Sequence, residues 1–199
     1  MNFKIIGQLA GAALLTLGLA GCMDVSMDVE IQSETTGKAT TTMIMGADFY
    51  AMAKSGMAQE GAEGGFCDEP GADLTENEDG SATCVIVSEG TFDELKTGDS
   101  DDGATFEVVG PNLVKATFST AEMTGELGGE GQDDETKAMV QAFFEGRFVT
   151  LRVSGAEIVE SNMPIAEDKA SAEQKIPFLD LINGTADLPD ELFAVVRTN

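Results

Sequence analysis

From Met23 to Gln32 apolar and polar residues alternate without a break. Met23, Val25, Met27, Val29 and Ile31 fall on one side, and Asp24, Ser26, Asp28, Glu30 and Gln32 on the other. A period of two is that of a half-buried strand. Residues 33–37 have turn chemistry, and the Thr-rich Lys38–Met45 segment reads as the returning strand of a hairpin. Ala47–Ser55 predicts a short helix. Gln59–Ala82 carries many glycines and carboxylates and reads as an acidic loop. Thr83–Ser88 predicts a strand, Thr91–Leu95 a single helical turn and Gly98–Gly103 a polar turn. Ala104–Val109 and Asn112–Ser119 flank Gly110 and Pro111 as a second hairpin. Asp133–Gly146 is the clearest helix: an Asp at its start, an apolar stripe of Ala138, Met139, Ala142 and Phe143, and a glycine to end it. Phe148–Ser154 alternates again and Glu157–Glu160 continues as a strand, with Gln174–Ile182 and Glu191–Arg197 as late strands. No repeat of fixed period occurs. The pattern as a whole predicts an α+β fold, a largely antiparallel β-sheet with one main helix and one short helix.

Ahead of this pattern lies a segment of another kind. Lys4 gives a small basic start, and the apolar run from Ile5 to Leu19 is shorter than the roughly 20 residues of a membrane span. The run closes on Leu19, Ala20, Gly21 and Cys22, which resembles the lipobox of a bacterial lipoprotein signal. That resemblance implies cleavage before Cys22 and acylation of its sulfur (a palmitate-like chain) and of the new amino terminus. Residues 1–21 are then a signal peptide and residues 22–199 a single exported domain. Two or three acyl chains, at about 0.8 kcal/mol per buried CH2, make a stable tether. No second apolar run is long enough to span a bilayer, so this lipid is expected to be the only anchor. With Cys22 so used, Cys67 and Cys84 remain. An isolated pair in an exported chain predicts a disulfide, with two free thiols as the alternative. The bridge closes a short Gly- and acid-rich loop and is worth roughly 3 kcal/mol.

Charge narrows the function. The chain carries 11 Lys and Arg against 36 Asp and Glu, a net −25, and the leader holds only Lys4, so the mature chain stands at 10 against 36, or −26. Such a field repels polyanions, and nucleic acid is not an expected partner. The absence of histidine removes Ser-His-Asp and Cys-His catalysis and HExxH zinc sites. No GxSxG, SxxK or phosphate-cradling GxxxxGK[ST] motif is present. The glycine-rich stretch at 125–131 is acidic and suits a loop. Carboxylate pairs are abundant in so acidic a chain and do not single out a glycosidase. The chain is therefore expected not to be an enzyme and to need no cofactor. The acidic turns at 99–103 and 76–80 offer oxygen ligands for calcium, but neither has EF-hand spacing, and solvated turns are the plainer expectation. Met23, Met27, Met43, Met45, Met52 and Met57 crowd the first third of the mature chain. Strand packing accounts for most of them, while Met27, Met43 and Met45 form a candidate lining for an apolar or acyl ligand; copper(I) is the weaker reading of the same thioethers.

Two stretches resemble the LppM-like family of bacterial lipoproteins. One is Gly21 to Ile31, where the lipobox runs directly into an alternating strand. The other is Val149 to Asn162, a strand, glycine turn, strand and Ser-Asn turn. The resemblance implies an exported β-rich domain with one or two helices and an envelope role linked to lipids or the cell surface. Many chains of that family end in a transmembrane helix, whereas this one ends in a predicted strand. The expected function is a membrane-anchored, non-enzymatic envelope lipoprotein that binds a lipid-like ligand or a protein partner. The alternative is a structural or assembly lipoprotein without a small ligand. A closed apolar cavity favours the first and a filled core with an exposed apolar patch the second. Met23 after the lipid cysteine lacks the acidic inner-membrane retention signal of enteric bacteria, so the periplasmic face of the outer membrane is preferred to the inner membrane.

Overall fold

The structure, a computed structural model, describes residues 23–57, 66–95, 103–120, 141 and 144–198. The segment of unbroken alternation is strand β1 (Met23–Ile31). It pairs antiparallel with β2 (Thr36–Met45), Met23 opposite Met45 and Ile31 opposite Gly37. The remaining strands are β3 (Ala72–Glu76), β4 (Ala82–Thr91), β5 (Thr105–Gly110), β6 (Leu113–Ser119), β7 (Phe148–Ser154), β8 (Glu157–Ser161), β9 (Ser171–Pro177) and β10 (Glu191–Arg197). Six form one sheet in the order β3-β4-β2-β1-β7-β9, and four form a second in the order β5-β6-β10-β8. β1 thus lies inside its sheet, with β2 antiparallel on one side and β7 parallel on the other. The β1–β7 pair is the one parallel pairing among the described strands. The sequence predicts a single largely antiparallel sheet; two sheets form because the pattern marks which face of each strand is apolar but not which strands meet.

The register explains the core. Directly paired residues share a face of the sheet, so Val29, Ala39, Val153 and Ala172 line up across four strands. Val114, Ala116, Phe118, Leu192, Ala194 and Val196 of the second sheet pack against this row as one buried cluster. Fully buried Ile176, Leu181 and Leu192 each contribute roughly 1.5–3 kcal/mol. Aromatic stacks at its margins, Phe92 on Phe106 and Phe144 on Phe178, each have ring centroids 4.5 Å apart. A satellite cluster of Met45, Tyr50 and Ala82, joined by Met23, Phe49, Ala53 and Phe66, lies under helix α1 (Ala47–Met57) at the Met23 end of the sheet.

Most predicted boundaries match within a few residues, and the exceptions have physical reasons. The acidic 59–82 segment contains β3, a short edge strand paired only with β4, whose mostly exposed side chains left no apolar alternation to read. The predicted strand 174–182 stops at Pro177, and Phe178–Ile182 is a short helix, α2. Proline has no N–H to continue a ladder, and Phe178, Leu181 and Ile182 fall at helical spacing toward the core. Of the Asp133–Gly146 helix, most lies outside the described residues, Met139 and Phe143 included. Its end is described: the Glu145 N–H donates to the Gln141 carbonyl, and Gly146 takes the left-handed conformation of a helix stop, at φ +73°. Within β1, Val29 and Ile31 are buried and Glu30 is exposed, as alternation predicts. Nearer its start Asp24 and Asp28 are as half-buried as Val25 and Met27, because both carboxylates are drawn onto the sheet by neighbouring arginines.

Cys67 and Cys84 are joined, with Cα atoms 5.5 Å apart. Cys84 is fully buried on the core side of β4, so the bridge holds the segment from Phe66 against the sheet. There Phe66 meets Tyr50 edge-on at 6.0 Å.

The two sheets approach closely at Gly155, just after β7. A Cβ built there lies 2.4 Å from Val196 Cγ1 and 3.1 Å from the Ile31 carbonyl oxygen. Gly155→Ala should therefore cost about 1–3 kcal/mol by overpacking. Val196→Ala should remove the clash, so the double variant should be destabilised by less than the sum of the two single changes, as measured by denaturant unfolding. Additive losses would show that the contact does not limit the approach of the sheets.

Candidate functional site

β1 and β7 run parallel and end together, and a polar cleft of about 470 Å3 opens beyond their carboxyl ends. Glu30, Ile31 and Gln32 come from β1 and the residue after it, Arg152, Ser154, Gly155 and Ala156 from β7 and its turn, and Ala170 and Thr198 close the sides. Gly155 allows the cleft to form here, since its missing side chain lets β7 turn away between Ile31 and Val196. Arg152 Nη1 sits 3.1 Å from Asp28 Oδ2, and the Ser154 hydroxyl donates to Asp28 Oδ1 at 3.0 Å. The Gln32 amide donates to Glu89 Oε1 at 3.2 Å. A serine whose hydroxyl donates to an ion-paired carboxylate, with no imidazole to take its proton, is not an activated nucleophile. The arrangement offers hydrogen-bonding groups of both polarities.

The same face of the sheet carries a second ion pair toward the chain's start. Asp24 accepts from Arg147 Nη1 at 2.5 Å and from the Phe148 N–H at 2.9 Å. Together Asp24 and Asp28 lash β1 to β7 along the polar side. Cationic side chains elsewhere are engaged singly: Arg197 pairs with Glu157 at 3.0 Å, Lys115 lies 4.7 Å from the Phe193 ring centre, and Lys175 lies 3.9 Å from that of Phe148. Among the described residues the cations are thus spread over the surface in separate contacts.

A third group fixes α1. Glu76 Oε1, at the end of β3, accepts from the Tyr50 hydroxyl at 2.8 Å and from Lys54 Nζ at 2.6 Å, and Lys54 also lies 5.3 Å from the Tyr50 ring centre. The Lys54 hydrogen bond, with that of Tyr50, holds the Glu76 carboxyl below its ordinary range. The same hydrogen bonds to Glu76 raise Tyr50 and Lys54 above theirs. A lowered carboxylate stabilises above its unfolded value and loses that contribution as pH falls. A raised phenol or amine stabilises below its unfolded value and loses it as pH rises. The lash is therefore complete across the neutral range and weakens at both extremes.

The methionines proposed as an acyl-ligand lining divide. Met45 is buried in the satellite cluster, Met27 packs against the main core, and Met43 is half-buried opposite Val25 and Cys84. They share one face of the sheet, away from the polar cleft. Of the two acidic turns, 99–103 lies largely outside the described residues. The other is a hairpin turn in which several polar groups have partners: Asp79 Oδ1 accepts from the Ser81 N–H and hydroxyl at 3.0 and 2.6 Å, Asn77 donates to Ser81 and Thr83, and Glu76 is held by Lys54 and Tyr50. The Ser81 hydroxyl is the main reason Asp79 lies below the usual carboxylate range. Cys22 lies outside the described residues. Sequence reading did not find Arg152, Ser154, Asp28 and Gly155 as a group. Alternation put the first three on polar sides, but the parallel pairing that assembles them joins segments more than a hundred residues apart.

No family model matches the chain, and no curated protein sequence matches it. Among solved structures it is similar to the NMR structure of the folded domain of the Mycobacterium tuberculosis LppM protein. The identity is 11% over 90% of this chain and 91% of that one, and the TM-score is 0.44. A likeness this distant assigns no ligand or partner.

Tyr50 is the single tyrosine and there is no tryptophan, so its ultraviolet titration reports on the α1 lash alone. Its ionisation should come above that of a free phenol, and Glu76→Gln should bring it down toward the ordinary range. An unchanged midpoint in the variant would show that Glu76 does not hold the hydroxyl.

Proposed function

We propose that this chain is a lipid-anchored envelope protein with a non-catalytic role, whose domain engages another envelope component close to the membrane. The observation that carries the reading is the lipobox ending at Cys22, followed without a spacer by the interior strand β1. The bonded Cys67–Cys84 pair supports an oxidising compartment. No helix among the described residues is long and apolar enough to cross a membrane, which is in keeping with an acyl anchor. The partner in this reading is a protein rather than nucleic acid, since the charge of −25 opposes polyanions and the described cations are dispersed. The periplasmic face of the outer membrane is the preferred location, by the residue that follows Cys22.

Binding of a lipid-like ligand is the second reading, and the Met-lined face of the sheet favours it. Against it, Met45 and Met27 are occupied by protein atoms, and the cleft beside Arg152 is polar. The protein-partner reading instead draws on aliphatic side chains left exposed on strands, among them Ile44 and Val87 on the outer side of the large sheet.

Cys22→Ser should abolish incorporation of a labelled fatty acid and leave the protein unprocessed or free of the membrane fraction. Processed Cys22→Ser that still fractionates fully with membranes would overturn the anchor. Saturable binding of a fluorescent fatty acid by the acyl-free domain would move the reading from a protein partner to a lipid-like ligand.

A further inference from the structure

The length of chain between the anchor and the fold is fixed by the sequence. Met23 follows Cys22 directly and is already the first residue of β1. A strand at a sheet's edge could peel back to make a tether, but β1 is paired with β2 from its first residue and with β7 from its third. Met23 lies opposite Met45, Asp24 is held by Arg147 and by the Phe148 N–H, and Val25 lies opposite both Met43 and Val149. Met23 is also part of the cluster under α1. Releasing even two residues would break these contacts and yield only about 7 Å of reach.

The two ends of the domain can be named from the register. At the Met23 end lie Met45, α1 and the β3–β4 turn. Ala82 pairs with Met45, and a Cβ on Gly80 would meet Ala47. At the other end of β1, about 27 Å away for nine residues of strand, lie the β1–β2 turn and the β5–β6 hairpin. There the Asn112 N–H donates to Glu34 at 2.6 Å and the Thr198 N–H to the Asn112 carbonyl at 2.9 Å. The polar cleft is at this second end, beside Ile31 and Thr198.

We propose that the Met23 end, α1 and the β3–β4 turn stand directly on the lipid surface, with the polar cleft turned away from it. The proposal rests on the acylation of Cys22. Met52, exposed on α1, and Glu78, exposed in the β3–β4 turn, are the side chains that meet the headgroup region. Charge does not hold them there, since Asp48, Glu78 and Asp79 are all exposed carboxylates at this end; the missing spacer does. A component that uses the cleft must then reach it from the aqueous side, about 27 Å out from the anchor.

The absence of tryptophan permits a direct test. The chain from Cys22 onward is coupled through that thiol to a maleimide-headgroup lipid in phosphatidylcholine vesicles containing brominated acyl chains. Single tryptophans replace Glu78, Met52 or, at the far end, Val108, which is as exposed as Met52. Glu78→Trp and Met52→Trp should be quenched by the brominated lipid, and Val108→Trp should match its value in unbrominated vesicles. A flexible Gly/Ser spacer of about 20 residues between Cys22 and Met23, with a reach of about 25 Å, should abolish the quenching while the protein stays bound. Equal emission at the two ends, or quenching that survives the spacer, would overturn the proposal. Because coupling is chemical, the result does not depend on acylation in the cell, which the fractionation of Cys22→Ser reads separately.

Discussion

The structure depends on the double pairing of β1. One edge of the strand takes up β2, its near neighbour in sequence, and the other takes up β7, which begins at Phe148. The second pairing closes a chain segment of more than a hundred residues and carries the entropy of that closure. Two things offset it. On the core side, Val29 and Val153 meet and are fully buried. On the polar side, Asp24 and Asp28 take hydrogen bonds from Arg147, the Phe148 N–H and Ser154, and Asp28 is ion-paired with Arg152. The carboxylates sit where alternation would leave them in water, and the arginines bring them down onto the sheet.

The functional geometry follows from that pairing. Because β1 and β7 are parallel, their carboxyl ends finish side by side, and the chain must leave both at one place. Gly155 lets β7 turn there against Ile31 and Val196, and the polar cleft is the space left between the departing chains. β1 is paired with β2 from Met23 and with β7 from Val25, and Met23 also packs under α1. In the proposed reading, a lipid on the preceding cysteine would therefore act on a paired strand rather than on a flexible arm. The Tyr50–Glu76–Lys54 lash and the Cys67–Cys84 bridge secure the elements at that same end.

The satellite cluster also gives two of the methionines of the first third their place. Met23 and Met45 are paired across β1 and β2 and pack under α1 with Tyr50 and Ala82. Unbranched, polarisable side chains fill the irregular space between a helix and a twisted sheet, which gives Met23 and Met45 a packing role.

Much of this was legible in the sequence, because it is local. Period-two alternation located β1 and β7, a late apolar run suggested β10, turn residues located the hairpins, and Gly146 marked the end of the helix before β7. The pairing of Cys67 with Cys84 followed from the expectation of an exported chain with two cysteines left over, and charge together with the absence of histidine narrowed the chemistry. What the sequence could not give depends on contacts between distant segments. β3 has too few apolar residues to announce itself and exists because β4 offers an edge. Phe178–Ile182 reads equally as strand or helix until Pro177 ends β9 and the core takes Phe178 and Leu181. The division into two sheets, the parallel β1–β7 pair, and the meeting of Asp28, Arg152, Ser154 and Gly155 at one cleft were decided only by tertiary structure. Alternation says which face of a strand is buried; only packing selects the strand that lies beside it.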